Sequence, residues 1–77
     1  MNKMRRKELS RAAEMLREAY SIIESCKDEE QDAYDNLPES FQYGDKGDEM
    51  QEYIDQMDEA MESIDEAADT IEEIAEV

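Results

Sequence analysis

Apolar residues recur along the first half of the chain at alternating steps of three and four. The positions are Leu9, Ala12, Leu16, Ala19, Ile23, Cys26, Glu30, Ala33 and Leu37, and only Glu30 interrupts the apolar character. This spacing places the side chains on one face of an α-helix. We predict a helix from about residue 3 to about residue 35, which ends before Pro38 because proline lacks a backbone donor and restricts the preceding residue.

The second half repeats the pattern over a wider face. Its seam is Met50, Ile54, Met57, Met61, Ile64, Ala68, Ile71 and Ala75, flanked at every seventh residue by Tyr53, Ala60, Ala67 and Ile74. A face that takes three positions in seven is wide enough to pack in a helical bundle. We predict a second helix over about residues 46–76 and a turn over about residues 36–45.

A short connection between two long helices returns the chain beside itself. The predicted fold is therefore all-α, an antiparallel two-helix hairpin that forms a single domain over residues 1–77. Two helices alone leave apolar surface uncovered, so dimerisation into a four-helix bundle is a further expectation.

Aromatic residues cluster around the predicted turn. Leu37, Phe41 and Tyr43 are expected to fold over the tip of the hairpin beside Tyr34 and Tyr53, because these side chains would otherwise face solvent. The alternative is that Tyr34, Phe41 and Tyr43 contact a partner, since aromatic side chains provide binding energy at low entropic cost.

Charge is distributed unevenly along the chain. Residues 1–27 hold seven basic and four acidic groups, a net charge of +3, whereas residues 28–77 hold one basic and twenty acidic groups, a net charge of −19. The total of −16 argues against direct nucleic-acid binding and against an anionic membrane surface. We expect a basic partner, and we expect the basic start of the first helix to flank the acidic end of the second.

A row of carboxylates, here called the acidic ladder, follows one face of the second helix. Its members are Glu52, Asp55, Glu59, Glu62, Glu66, Asp69, Glu73 and Glu76, with no Lys or Arg between them. Like charges three or four residues apart cost roughly 0.2–0.5 kcal/mol per pair. The 13 carboxylates from Asp48 to Glu76 give roughly one charge per 3.3 Å of helix, close to the spacing of about 3.4 Å along one DNA strand.

These features predict a noncatalytic acidic interaction protein, a DNA mimic that inhibits or regulates a basic nucleic-acid-binding protein. The residues expected to bind the partner are Glu52, Asp55, Asp58, Glu59, Glu62, Asp65, Glu66, Asp69, Glu72, Glu73 and Glu76, with Tyr34, Phe41 and Tyr43 at the tip. One alternative is a structural or adaptor protein that acts through its apolar helix face, with the acidic face only solvated. Another is an antitoxin-like protein that covers a basic toxin.

Catalytic chemistry is not expected. The chain has no histidine, which removes the usual zinc ligands and acid-base catalysts, and it shows no phosphate-binding glycine loop or nucleophile-base pair. We expect no metal and no cofactor. Cys26 lies on the apolar seam, so we expect it to be buried. No stretch approaches the roughly 20 apolar residues of a membrane span, and the basic start is not followed by an apolar signal region, so we expect the protein to be cytoplasmic.

The segment Asp28-Glu29-Glu30-Gln31-Asp32-Ala33-Tyr34-Asp35-Asn36-Leu37-Pro38-Glu39-Ser40, followed by Gln42-Tyr43, Gly47 and the acidic repeat, resembles a group of short acidic proteins from phages and bacterial mobile elements. The resemblance covers about residues 26–76. It implies a setting in which small DNA-mimicking inhibitors of restriction or CRISPR enzymes are common, and it assigns no functional residues.

Overall fold

The computed structural model describes Met1–Glu76, and all regular structure in that range is helical. The elements are α1 (Lys3–Asp35), α2 (Glu39–Gln42) and α3 (Asp45–Glu76). The all-α prediction is confirmed. The described chain forms a rod with extents of 58 × 14 × 12 Å. The predicted single domain extends one residue further, to Val77, which lies outside the described residues.

The bounds of α1 and α3 lie within one residue of the expected ones. The side chain of Asn2 caps α1 by accepting a hydrogen bond from the backbone N–H of Arg5 at 2.8 Å. At the other end, α1 stops before Pro38, which caps the short α2 without a side-chain hydrogen bond. Asp45 and Asp48 lie in the first turn of α3, where carboxylates interact favourably with the positive end of the helix dipole.

The long helices α1 and α3 pack against each other in opposite directions. Lys27 of α1 contacts Asp58 of α3, whereas Arg17, ten residues earlier on α1, contacts Asp65 and Asp69, further along α3. The contact buries the seam of α3 as its spacing predicted, with Met50, Ile54, Met61 and Ala68 at its centre.

The face that α1 turns toward α3 differs from the predicted seam. Next to the column of Leu9, Leu16 and Ile23, the residues four positions later pack toward α3. Ala13 is buried, and Tyr20, Lys27 and Tyr34 are half-buried. Ala13 is the most buried residue of α1, at 1 % exposure. The predicted column lies at the edge of the contact: Ala12 and Ala19 are half-buried, whereas Cys26 and Ala33 are exposed. The expectation that Cys26 is buried is therefore wrong.

Ion pairs and side-chain size account for the observed rotation of α1 against α3. The observed rotation of α1 brings Lys27 and Arg17 beside the carboxylates of α3. It also brings Tyr20 and Tyr34 toward the interface, where they cover more apolar surface than alanines would. The sequence pattern alone does not distinguish the two rotations because both include the same Leu9, Leu16 and Ile23 column.

The turn between α1 and α3 is held by one side chain and one glycine. The Gln42 Nε2 group donates to the carbonyl oxygens of Tyr34 and Leu37, each at 3.1 Å, and so binds the end of α1 to α2. Gly47 is buried at the start of α3, where an added Cβ would lie 2.7 Å from the carbonyl oxygen of Phe41 and would overlap the carbonyl group of Gln42. Only glycine fits this approach without a shift of the backbone.

Within Met1–Glu76, no helix combines the length and the apolar character that crossing a membrane would require.

Candidate acidic interaction surface

The eleven acidic residues predicted to bind a partner share one side of α3. They occupy three neighbouring columns of the helix, opposite the column of Tyr53, Ala60, Ala67 and Ile74. Ten of them are exposed, and Glu72 is half-buried. We call this surface the acidic arc: Glu52, Asp55, Asp58, Glu59, Glu62, Asp65, Glu66, Asp69, Glu72, Glu73 and Glu76.

One edge of the acidic arc is neutralised by α1. The guanidinium of Arg17 contacts Asp65 at 2.5 Å, Asp69 at 2.6 Å and Glu72 at 2.9 Å. The hydrogen bonds to Glu72, Asp69 and Asp65 raise the pKa of Arg17 above its ordinary value. Lys27 pairs with Asp58 at 2.5 Å, and this hydrogen bond raises the pKa of the ammonium group. We call this side of the helix pair the paired edge.

The rest of the acidic arc faces solvent without a cation. Among the described residues, seven of the eight ladder members form no salt bridge, and only Asp69 is paired. The structure therefore agrees with the expectation that basic residues of α1 reach only the flank of the ladder. The unpaired members are Glu52, Asp55, Glu59, Glu62, Glu66, Glu73 and Glu76.

The basic start of α1 is less involved than expected. Arg11 pairs with Glu8 on its own helix at 3.7 Å. In the part of the chain that the structure describes, Lys3, Arg5 and Lys7 are exposed and form no ion pair with α3. Neutralisation of α3 thus depends on Arg17 and Lys27, which lie closer to the middle of the rod.

The tip aromatics do not form the expected cap together. Tyr34 and Leu37 are half-buried, but Phe41 is 54 % exposed and Tyr43 is 78 % exposed. The prediction that Phe41 and Tyr43 fold over the core is wrong, because α2 turns both side chains toward solvent. Tyr53, which was expected near this cap, is 46 % exposed, and its hydroxyl donates to Glu49 at 2.8 Å. This hydrogen bond raises the pKa of Tyr53 above its ordinary value.

Across Met1–Glu76, no three His, Cys, Asp or Glu side chains converge as a metal site would require. The carboxylates are instead distributed along the rod and form an extended charged surface.

A second surface lies on the opposite side of α3 from the acidic arc. We call it the uncharged strip, after the nine side chains that define it: Ala12, Met15, Ala19, Ile22 and Cys26 on α1, and Tyr53, Ala60, Ala67 and Ile74 on α3. Its middle is an open groove of about 580 Å³ between the two helices, lined mainly by apolar atoms of residues that include Cys26, Tyr53 and Ala60. Glu30 also lines the groove and, among the described residues, is the one charged residue there. The sequence analysis identified the residues of both columns, but it predicted that the α1 column contacts α3.

Comparisons of the chain with protein-family models, with curated proteins and with solved structures returned no match.

Proposed function

We propose that the chain is a noncatalytic interaction protein whose acidic arc binds the nucleic-acid site of a basic protein and so inhibits or regulates that protein. The observation that carries the proposal is the acidic ladder, which extends from Glu52 to Glu76 in solvent with seven of its eight members unpaired in the described range. Its 25 residues correspond to roughly 38 Å of helix. The eight ladder carboxylates are spaced roughly 5 Å apart along the helix axis, so a cationic channel that binds a nucleic-acid strand would meet a continuous row of charges at a somewhat wider spacing than the roughly 3.4 Å of one DNA strand.

The electrostatic cost of the ladder supports a role beyond solubility. Solubility requires net charge, and exposed acids alternating with lysines would provide a polar surface at lower cost in helix stability. The chain does place cations beside α3, but Arg17 and Lys27 neutralise only the paired edge. Within Met1–Glu76, seven of the eight ladder members, all but Asp69, remain without a cation.

We further propose that α1 and α3 form an antiparallel hairpin in solution, that the hairpin dimerises, and that the protein acts in the cytoplasm of a bacterium carrying a phage or mobile element. The packing of α1 on α3 supports the first part, and the exposed apolar residues support the second. The setting follows from the resemblance of residues 26–76 alone.

Charge reversal on the ladder tests the proposed function. We expect the change of Glu52, Asp55, Glu59 and Glu62 to lysine to abolish capture of a nucleic-acid-binding protein from bacterial lysate at low salt, while helicity by circular dichroism is retained. Duplex DNA should displace the captured protein, and binding by the unchanged chain should weaken steeply as salt rises.

A matched variant separates a positioned surface from net charge. Reversal of Glu18, Glu24, Glu29 and Asp32, which are exposed on α1, changes the net charge by the same amount. We expect this variant to bind as the unchanged chain does. Equal loss of binding in both variants, or capture that DNA does not displace, would contradict the proposal.

The second candidate function is an adaptor that docks through the uncharged strip, which exposes Ile22 and Tyr53 to solvent. Binding through this strip should be nearly independent of salt or should strengthen with it. The ladder reversal should leave such binding intact, so the same two variants and a salt series distinguish the candidates.

A further inference from the structure

Charged and uncharged residues are separated around α3 to an unusual degree. Charged residues make up 42 % of the chain, yet every charged residue of α3 after Tyr53 lies in the acidic arc. The side of α3 next to the groove instead carries the column of Tyr53, Ala60, Ala67 and Ile74, with a neutral polar rim: Gln56, Ser63 and Thr70.

The matching side of α1 is also free of charge between Ala12 and Cys26. The rotation of α1 that pairs Arg17 and Lys27 with α3 leaves this column at the edge of the contact, with Ala12 and Ala19 half-buried and Cys26 exposed. Two large apolar side chains project beside it, Met15 at 59 % exposure and Ile22 at 58 % exposure. Both helices thus contribute to one uncharged strip along the middle of the rod, on the side away from the paired edge.

We propose that the uncharged strip is the interface with a second copy of this chain, and that the two copies form a four-helix bundle with both acidic ladders in solvent. A partner for this strip must itself bring a long, narrow and uncharged surface. The chain supplies one, because small residues at sevenfold spacing on both helices let two such faces approach closely.

The dimensions fit a weak, concentration-dependent dimer. The strip extends over roughly 33 Å of α3, from Tyr53 to Ile74, and a face of that length with a width of 14 Å has an area of roughly 450 Å² per copy, which is in the range of weak protein interfaces. The groove at Cys26 and Ala60 leaves space for side chains of the other copy.

The small core of one copy supports the same conclusion. Among Met1–Glu76, five apolar residues are buried, and no large side chain is fully buried. The five residues are Ala13, Met50, Ile54, Met61 and Ala68. A chain of 77 residues buries a modest share of its surface when folded alone, and association of copies is a common source of the missing burial.

The test compares two neighbouring substitutions on α1. Ile22→Glu places a carboxylate on the uncharged strip, and Ser21→Glu adds the same charge at the adjacent exposed position outside it. Sedimentation of the full chain in 0.3 M salt, which screens repulsion between copies, should give a dimer mass twice the 9.0 kDa of one chain. We expect Ile22→Glu to weaken dimerisation by at least roughly 100-fold, because a carboxylate would be buried without a partner, and Ser21→Glu to leave it unchanged.

The thiol of Cys26 provides a second readout in the unchanged sequence. Cys26 is exposed in one copy and would be covered in the dimer, so its alkylation by N-ethylmaleimide should slow as protein concentration rises through the dimerisation range. A monomer mass at all concentrations would overturn the proposal. Dimers that Ile22→Glu leaves intact, or a Cys26 rate that does not change with concentration, would place the interface elsewhere and would also overturn it. Neither result depends on whether the acidic ladder binds a partner.

Discussion

The close approach of α2 to α3 predicts that alanine is tolerated at Gly44 but not at Gly47, three residues later. Gly47→Ala would place a Cβ 2.7 Å from the carbonyl oxygen of Phe41 and would overlap the carbonyl group of Gln42. Both neighbours are backbone groups, so the turn itself must move. Gly44→Ala would place its Cβ 3.4 Å from the carbonyl oxygen of Ser40, which is an ordinary contact.

The two substitutions are expected to change the free energy of unfolding in opposite directions. Overpacking against a fixed backbone destabilises a protein by about 1–3 kcal/mol. The higher helix propensity of alanine offsets at most about 1 kcal/mol of this destabilisation. We expect Gly47→Ala to lower the free energy of unfolding by about 1–2 kcal/mol. Gly44→Ala should be neutral or should raise it by up to about 1 kcal/mol, because alanine restricts the unfolded chain.

Urea and thermal unfolding followed by circular dichroism at 222 nm, at one fixed protein concentration, measure both values. For a chain of this size, each kcal/mol corresponds to roughly 4–8 °C in Tm. Equal stability of the two variants would refute the reasoning, because it would mean that the turn adjusts to a Cβ at Gly47 as easily as at Gly44.

Three further predictions concern single side chains. Arg17→Gln should lower Tm at low salt and less so at high salt, because it leaves three carboxylates of α3 without their cation, whereas Arg11→Gln should have little effect; a salt-independent loss would contradict this account. The raised pKa of Tyr53 means that folding favours the neutral phenol, so this contribution to stability is present at neutral pH and is lost as pH rises through the folded pKa. Removal of the acceptor in Glu49→Gln should therefore move ionisation of Tyr53 to lower pH, as read from the chemical shifts of its ring, and an unchanged titration would exclude the hydrogen bond as its cause. Gln42→Leu should destabilise the chain by about 1 kcal/mol and speed hydrogen exchange at the end of α1, since carbonyl oxygens there lose their donor; exchange that speeds equally along the whole helix would contradict a local effect.

Much of the fold was predictable because helix formation leaves a direct periodic signal. The alternation of three and four residues located both long helices, and Pro38 marked the end of the first. The seam of α3 could also be predicted, since one apolar face there is bounded by acids on the opposite side. The acidic ladder needed no tertiary information, because its members share a helix face wherever that helix packs.

The rotation of α1 required the tertiary structure. Two columns flank the Leu9, Leu16 and Ile23 column, and the helical period places both beside it: Ala12, Ala19 and Cys26 on one side, and Ala13, Tyr20 and Lys27 on the other. The structure selects the column that brings Lys27 to Asp58 and Arg17 to its three carboxylates, and these are contacts between residues far apart in sequence. The same selection exposed Cys26 against expectation. The exposure of Phe41 and Tyr43 also required the tertiary structure, because it depends on how α2 packs against α3.

By itself, the sequence determined that this chain forms two long helices and that one of them carries a continuous row of negative charge, because both properties depend on spacing along a single helix. Only the tertiary structure decided which acids are neutralised and which apolar column stays open. Those outcomes depend on the rotation of one helix against the other, which is set by packing and by ion pairs between distant residues. The acidic arc and the uncharged strip therefore became separate surfaces only when α1 packed on α3.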